Sequence, residues 1–171
     1  LIELLVNIWD KYLDTTGNYI EFECYLHIIV NKLDYYKKEI EILEILENFL
    51  LKHTFKNISI LNNFFWLITN QLYADTYCKY YNKLRKKLIS RLDKNTYKLF
   101  QNGYDFTQNL IRISKLNNDK MYENIKDYFK EYDGISKFSL PIDFNKKFTQ
   151  IDYKEIKMIN SKTKPIILPC I

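Results

Sequence analysis

Glycine and proline are nearly missing from this chain, with three of each in 171 residues, and Pro141, Pro165 and Pro169 all lie beyond residue 140. Up to that point almost nothing interrupts a helix, so the composition predicts a helical body followed by a segment of different character. Cysteine is also scarce. Cys24, Cys78 and Cys170 are odd in number and far apart, a pattern that supplies neither a disulfide framework nor a metal-ligand spacing. It points to a reducing, intracellular compartment in which each cysteine is a small buried hydrophobe. No stretch reaches the ~20 apolar residues that a membrane span requires. Leu1 to Val6 carries Glu3 and no basic n-region, so it does not read as a secretory signal. A first residue that is Leu, and a last one inside an apolar run, lead us to expect a piece of a longer polypeptide.

What is present is a folding sequence. Hydrophobic residues make up 47%, too many for a disordered tail. The length suits one domain with a real core and is short for two. The net charge of +5 is spread along the chain, whereas a nucleic-acid binder concentrates its cations on one face, so no nucleic-acid partner is expected. A solvated surface accounts for this charge, and a weak pull toward an anionic membrane is compatible with it.

The stretch from Leu46 to Gln71 is the centre of the pattern. Leu46, Phe49, Leu50 and His53/Thr54 recur at the three-and-four spacing of one helical face. A second run follows with Ile58, Leu61, Phe65, Leu67/Ile68 and Leu72. Between the two, Asn57 or Ser59 can cap the second helix by accepting a backbone N–H. The very short turn makes this an antiparallel αα-hairpin, with Phe64, Phe65 and Trp66 filling the space around it. Before it, helices are predicted over about Leu1–Leu13 (Leu1, Leu4/Leu5, Ile8/Trp9 and Tyr12 on one face) and Tyr19–Tyr36. Glu39 opens the third helix. After the hairpin come Asp75–Leu92, with Cys78, Tyr81, Leu84, Leu88 and Leu92 inward, and Lys94–Leu116, capped by Asp93. A break at Asn117–Asp119 precedes a last helix with Met121/Tyr122, Ile125, Tyr128/Phe129 and Tyr132, which Gly134 ends as a C-cap.

The expected fold class is therefore mainly α, an α-solenoid of antiparallel helix pairs, over residues 1–134. Residues 135–171 form a second region. Pro141 forces Phe138–Phe144 into extended geometry. Lys154–Ile159 and Pro165–Ile171 read as short strands joined by a loop at Asn160–Lys164. Such a β-hairpin is barely stable alone and predicts a sheet whose other strands lie further along.

Two blocks resemble the phosphatidylinositol 3-kinases. Phe49, Leu50, Asn57, Leu61, Phe65 and Trp66 match a pattern of that family's helical accessory domain. His53 and Thr54 stand where the family usually has Arg-Ala, and Gln71 where it has Glu. The second block, Leu140-Pro141-Ile142, Ile151, Ser161, Pro165 and Leu168, looks like the opening of the family's kinase domain. There Phe144 replaces a Pro and Gln150 a Gly, and Pro169 stands where the family has a strand aromatic. The long helical stretch from Asp93 to Tyr132 is most similar to the class III, vesicle-trafficking members.

The resemblance implies a helical domain (1–134) plus the truncated first strands of a kinase N-lobe (135–171). The whole enzyme would transfer the γ-phosphate of ATP to the inositol 3-hydroxyl with Mg²⁺, on endosomal or vesicle membranes reached from the cytoplasm. Its implied partners are the missing kinase domain, regulatory subunits and phosphatidylinositol membrane. The family's catalytic-loop Asp-Arg-His-x-x-Asn and its Asp-Phe-Gly do not occur in these residues. No catalytic, cofactor-binding or metal residue is therefore expected here, and the chain's part is to brace the catalytic domain. A phosphatidylinositol 4-kinase helical domain and a stand-alone α-solenoid adaptor are the alternatives.

Other constellations are read as structural. Asp105-Phe106-Thr107 echoes Asp-Phe-Gly but falls mid-helix. His27 and His53 lack the convergent acids or thiols of a metal or catalytic site. Glu39, Glu41, Glu44 and Glu47 point to more than one helix face and read as solubilising charge. Lys83, Arg85, Lys86, Lys87 and Arg91 could meet phosphoinositide headgroups, but a solvated face explains them as well.

Overall fold

The computed structural model describes residues 1–36, 38–72, 78–116, 118–131, 151–159 and 165–169. Among them are α1 (Ile2–Thr16), α2 (Tyr19–Lys32), α3 (Ile40–Thr54), α4 (Ile58–Gln71), α5 (Cys78–Ile89), α6 (Lys94–Ser114) and α7 (Asn118–Glu131). The protein is mainly helical, as expected. No described helix is long and apolar enough to cross a membrane. The chain divides into two compact units, Leu1–Leu92 and Asp93–Ile171. Thus α6 and α7, which the sequence groups with the earlier helices, belong to the second unit.

In the first unit the centre is the α3–α4 hairpin. Helix α3 buries Leu43, Leu46, Phe49, Leu50 and Leu51, and α4 buries Ile60, Leu61, Phe64, Phe65, Trp66 and Ile68. Apolar groups around most of the circumference are the mark of a helix with neighbours on several sides. Phe55–Asn57 form the turn, and Asn57 is the cap, its side-chain oxygen accepting from the N–H groups of Ser59 (2.8 Å) and Ile60 (3.4 Å). Ser59 is not the cap. Gly17 ends α1 in the left-handed region (φ 61°), its N–H donating to the Leu13 carbonyl at 3.0 Å, which costs a glycine little.

Polar pairs give the helix directions. Glu23 meets Asn63, and Asn31 accepts from Gln71 at 2.7 Å, so α2 and α4 run parallel. Trp9 stacks on Phe49 and Asp10 meets His53, so α1 and α3 run parallel too. Between α1 and α2 the order reverses, with Tyr12 near Asn18 and Trp9 near Phe22 and Tyr25. Helices α1 and α2 therefore each lie along the helix two places on in sequence. Helix α5 is joined to this stack by the buried Tyr81, whose hydroxyl donates to the Val30 carbonyl at 2.9 Å.

Several expectations are corrected. Leu1, Leu4 and Ile8 were expected on a buried face but are 93%, 60% and 58% exposed. Trp9, expected on that face, does pack against Phe22, Tyr25 and Phe49, and Leu13 is the buried residue of the helix, so the apolar band of α1 is wider than its packing surface. Helix α2 stops at Lys32, and residues 33–36 form turns. Asn118 and Asp119 begin α7 instead of breaking the chain.

The second unit packs Phe106 and Ile113 of α6 on Met121, Ile125 and Phe129 of α7, with Ile156 completing the cluster. The Tyr122 hydroxyl donates to the Ile156 carbonyl at 2.9 Å, which ties the C-terminal segment to α7. Where a strand was expected from Lys154, Tyr153–Glu155 form a 3-10 turn capped by Asp152. The β structure described consists of β1 (Lys157–Met158) and β2 (Ile166–Ile167), paired antiparallel with Lys157 opposite Ile167, and a single bridge residue at Ile151. Two residues a side is far less than the expected sheet-founding hairpin. The extended Phe138–Phe144, the Gly134 cap, the Asn160–Lys164 loop, Tyr132, Cys170 and Ile171 lie outside the described residues, as does the start of the fifth helix before Cys78.

Three substitutions at two positions test this arrangement by urea unfolding. Asn57→Ala is expected to cost ~1 kcal/mol and Asn57→Gly only a few tenths. Phe64→Ala, at a fully buried position, is expected to cost ~3–5 kcal/mol. Equal losses from the two Asn57 variants would contradict the cap assignment.

Candidate functional site

Chemistry-bearing side chains converge where α1, α2 and α3 meet. His53, on the last turn of α3, has no exposed surface. A buried imidazole needs a partner at each nitrogen. Its Nε2 lies 2.7 Å from Asp10 Oδ1 and its Nδ1 lies 3.3 Å from the Tyr19 hydroxyl. The carboxylate only accepts, so Nε2–H donates to Asp10 and Nδ1 accepts the Tyr19 O–H. Lys52 adds its ammonium to both Asp10 oxygens (2.8 Å each) and to Asp14 Oδ2 (2.6 Å).

The electrostatics follow from this layout. Burial pushes the Asp10 carboxyl up, but the hydrogen bonds from Lys52 and His53, with the Lys52 charge, outweigh it together, and the net result is below the ordinary carboxylate value. Hydrogen bonds to Asp10 and Asp14 hold the Lys52 ammonium above its usual value. Burial, then the Asp14 charge, raises Tyr19.

Aromatic rings enclose the imidazole. Phe49 lies 4.9 Å from it, centroid to centroid, and Phe22 and Tyr19 each 5.9 Å. Trp9 stacks on Phe49 at 5.9 Å with 18° between the planes. The far side of that stack faces an apolar groove of about 420 Å³. Val6 and Trp9 supply its α1 wall, Ile28, Ile29 and Lys32 its α2 wall, and Leu46 and Phe49 its floor. Tyr36 stands at one end, and among the described residues Lys32 is the only charged one in the lining.

The Asp10–His53–Tyr19 chain has the connectivity of an acid–base relay, but the imidazole offers no edge to a substrate and both its nitrogens are engaged. What the arrangement does is hold three helices in register and present an apolar groove. Binding, not proton transfer, is the chemistry it supports. Among the described residues no cluster of three or more His, Cys, Asp and Glu is placed to hold a metal ion.

The remaining candidates are dispersed. His27 is exposed and accepts from Asn31 Nδ2 at 2.9 Å, within the polar stripe that α2 turns to α4. Glu41 and Glu44 are exposed, and Glu39 sits at the N-cap position of α3 without a side-chain cap bond. Glu47, expected as solubilising charge, is instead buried and bonded to Lys87. The guanidinium of Arg85 lies 5.3 Å over the Phe65 ring. Two of the five cations of the α5 region are thus engaged with the core's edge, and Lys83, Lys86 and Arg91 are exposed. Asp105 accepts from Gln101 on α6 at 2.8 Å and Phe106 is core, a helical setting unlike a metal-binding Asp-Phe-Gly. Sequence reasoning missed the Asp10–His53–Tyr19 link. Its only signal is an aspartate on the first helix and a histidine on the third, too far apart in sequence to be paired without coordinates.

Asp10 makes the junction sensitive to acid. Its folded carboxyl lies below the ordinary value, so its contribution is complete above the ordinary carboxylate range and is lost as pH falls through the lowered value. Urea midpoints measured from pH 7 to pH 3 should fall less steeply in Asp10→Asn than in the parent, and matching slopes would contradict the assignment. His53→Phe keeps a ring but removes one donor to Asp10, which retains Lys52, and the acceptor of the Tyr19 hydroxyl, and is expected to cost roughly 1–3 kcal/mol. Compared with known proteins, the chain matches no family model and no curated protein.

Proposed function

We propose that this chain is a helical scaffold of the kind that braces the catalytic domain in phosphatidylinositol 3-kinases, class III-like, followed by the first strands of a kinase N-lobe. The observation that carries the reading is where the resembling residues sit. Phe49, Leu50, Leu61, Phe65 and Trp66 are all buried at the centre of the first unit, and Asn57 caps α4. The pattern that suggests the family is thus the one on which the packing of α3 and α4 depends.

The parallel runs of α1 on α3 and α2 on α4 support reading the first unit as an α-solenoid of stacked antiparallel pairs. The β1–β2 pairing, beside Ile151 and Leu168, supports reading the C-terminal segment as the opening of a sheet. In this reading the chain transfers no phosphate itself. ATP, Mg²⁺ and the phosphatidylinositol membrane belong to the kinase domain that it supports, at endosomal or vesicle membranes, with regulatory subunits as further partners of the helical surface. A second reading, a stand-alone helical adaptor, draws on the open apolar groove between α1 and α2.

The test is to express the uninterrupted reading frame that contains these residues and assay it on phosphatidylinositol vesicles with ATP and Mg²⁺. The expected product is the 3-phosphate, with activity reduced by Phe64→Ala in the scaffold. A 4-phosphate product would transfer the scaffold to the 4-kinases, and a reading frame without any kinase domain would leave the adaptor.

A further inference from the structure

The groove between α1 and α2 has a polarity gradient along its length. The two helices run antiparallel, so Trp9 of α1 sits by Phe22 and Tyr25 of α2, while the opposite end, near Ile2, is reached by Lys32 and Tyr36. Between these ends the walls are mostly aliphatic, and among the described residues no carboxylate lines them. The turns bearing Ile2 and Trp9 are about 10 Å apart at the helical rise, so the space is elongated. A cavity of about 150 Å³ takes up benzene, and by that measure 420 Å³ accommodates roughly 17 carbon atoms. Apolar walls with a few polar groups at one end are the usual make-up of a small-molecule site of this size.

We propose that this groove binds a long-chain carboxylate, a free fatty acid. Its tail lies against Val6 and Trp9 and over Phe49. Its carboxylate sits at the Lys32 ammonium and the Tyr36 hydroxyl, whose positive charge and donor match a single anionic head. The rigid back wall is the Trp9–Phe49 stack that the buried His53 supports, so the site is preformed. The inference is independent of the kinase reading, since it uses only the α1–α2–α3 surface.

The experiment is displacement of a fluorescent fatty-acid analogue from the whole 171-residue chain, below the critical micelle concentration. Oleate is expected to displace it with one-to-one stoichiometry, and methyl oleate about tenfold more weakly. Lys32→Gln should weaken oleate about five- to tenfold and leave methyl oleate unchanged, while Lys83→Gln on α5 changes neither. Ile8→Asp, at an exposed position on the groove rim, should abolish binding while circular dichroism shows the helices intact. Equal affinity for oleate and methyl oleate, undiminished binding by a folded Ile8→Asp, or binding only to intact phosphatidylcholine vesicles would each overturn the proposal. So would the absence of saturable displacement by a folded wild-type chain.

Discussion

A buried imidazole tolerates little freedom, because each ring nitrogen must meet its partner at the right distance or cost several times what the bond returns. His53 is such a group, and its partners come from two other helices, Asp10 on α1 and Tyr19 on α2. One side chain thereby sets the register of three helices at once. Once Asp10 is in place, Trp9 falls on Phe49 and Phe22 packs edge-on to Phe49, and the apolar groove acquires a fixed back wall. Lys52, beside His53 on α3, reinforces the same junction through Asp10 and Asp14.

The same division of labour recurs through the first unit. Apolar burial along α3 and α4 supplies the driving force, which is non-directional, and single polar links choose among the ways the helices could slide. Glu23 with Asn63 and Asn31 with Gln71 fix α2 on α4. Tyr81 with the Val30 carbonyl and Lys87 with the buried Glu47 fix α5. A buried carboxylate is a poor source of stability but a strong specifier of position. A stack pinned in this way is suited to holding another domain or a ligand in constant geometry, and its chemistry lies in its surfaces.

Much of this was legible in the residue spacing. The α3–α4 hairpin, the Asn57 cap, the Asp93 cap of α6 and the Met121–Ile125–Phe129 stripe all follow from local rules, because a helix reads its own period and its own ends. The groove was not legible for a physical reason. Leu1, Leu4, Leu5 and Ile8 continue the same apolar spacing as Val6 and Trp9, and periodicity cannot tell which half of a broad apolar band meets a neighbour. Glu47 was hidden likewise, since an acid at a helical position looks solvated until a lysine from another helix reaches it. At Tyr153–Glu155 the alternating pattern of a strand lost to Asp152, whose side chain caps a 3-10 turn that the period does not encode. The first block of the family resemblance is made of residues that pack or cap the hairpin, while Leu140, Pro141, Ile142 and Ser161 of the second lie outside the described residues.

The central claim is that the α3–α4 hairpin is the stable nucleus on which α1 is held by the His53 junction. Native-state hydrogen exchange on the wild-type chain tests it most directly, since amides report the free energy of the opening that exposes them. The account predicts slowest exchange in α3 and α4, at the global unfolding free energy. It places α1 in a lower-energy opening of its own, because of the helix's residues Ile2–Thr16 only Leu13 is buried. Amides of α1 as protected as those of α3, or an α4 that exchanges before α1, would contradict it.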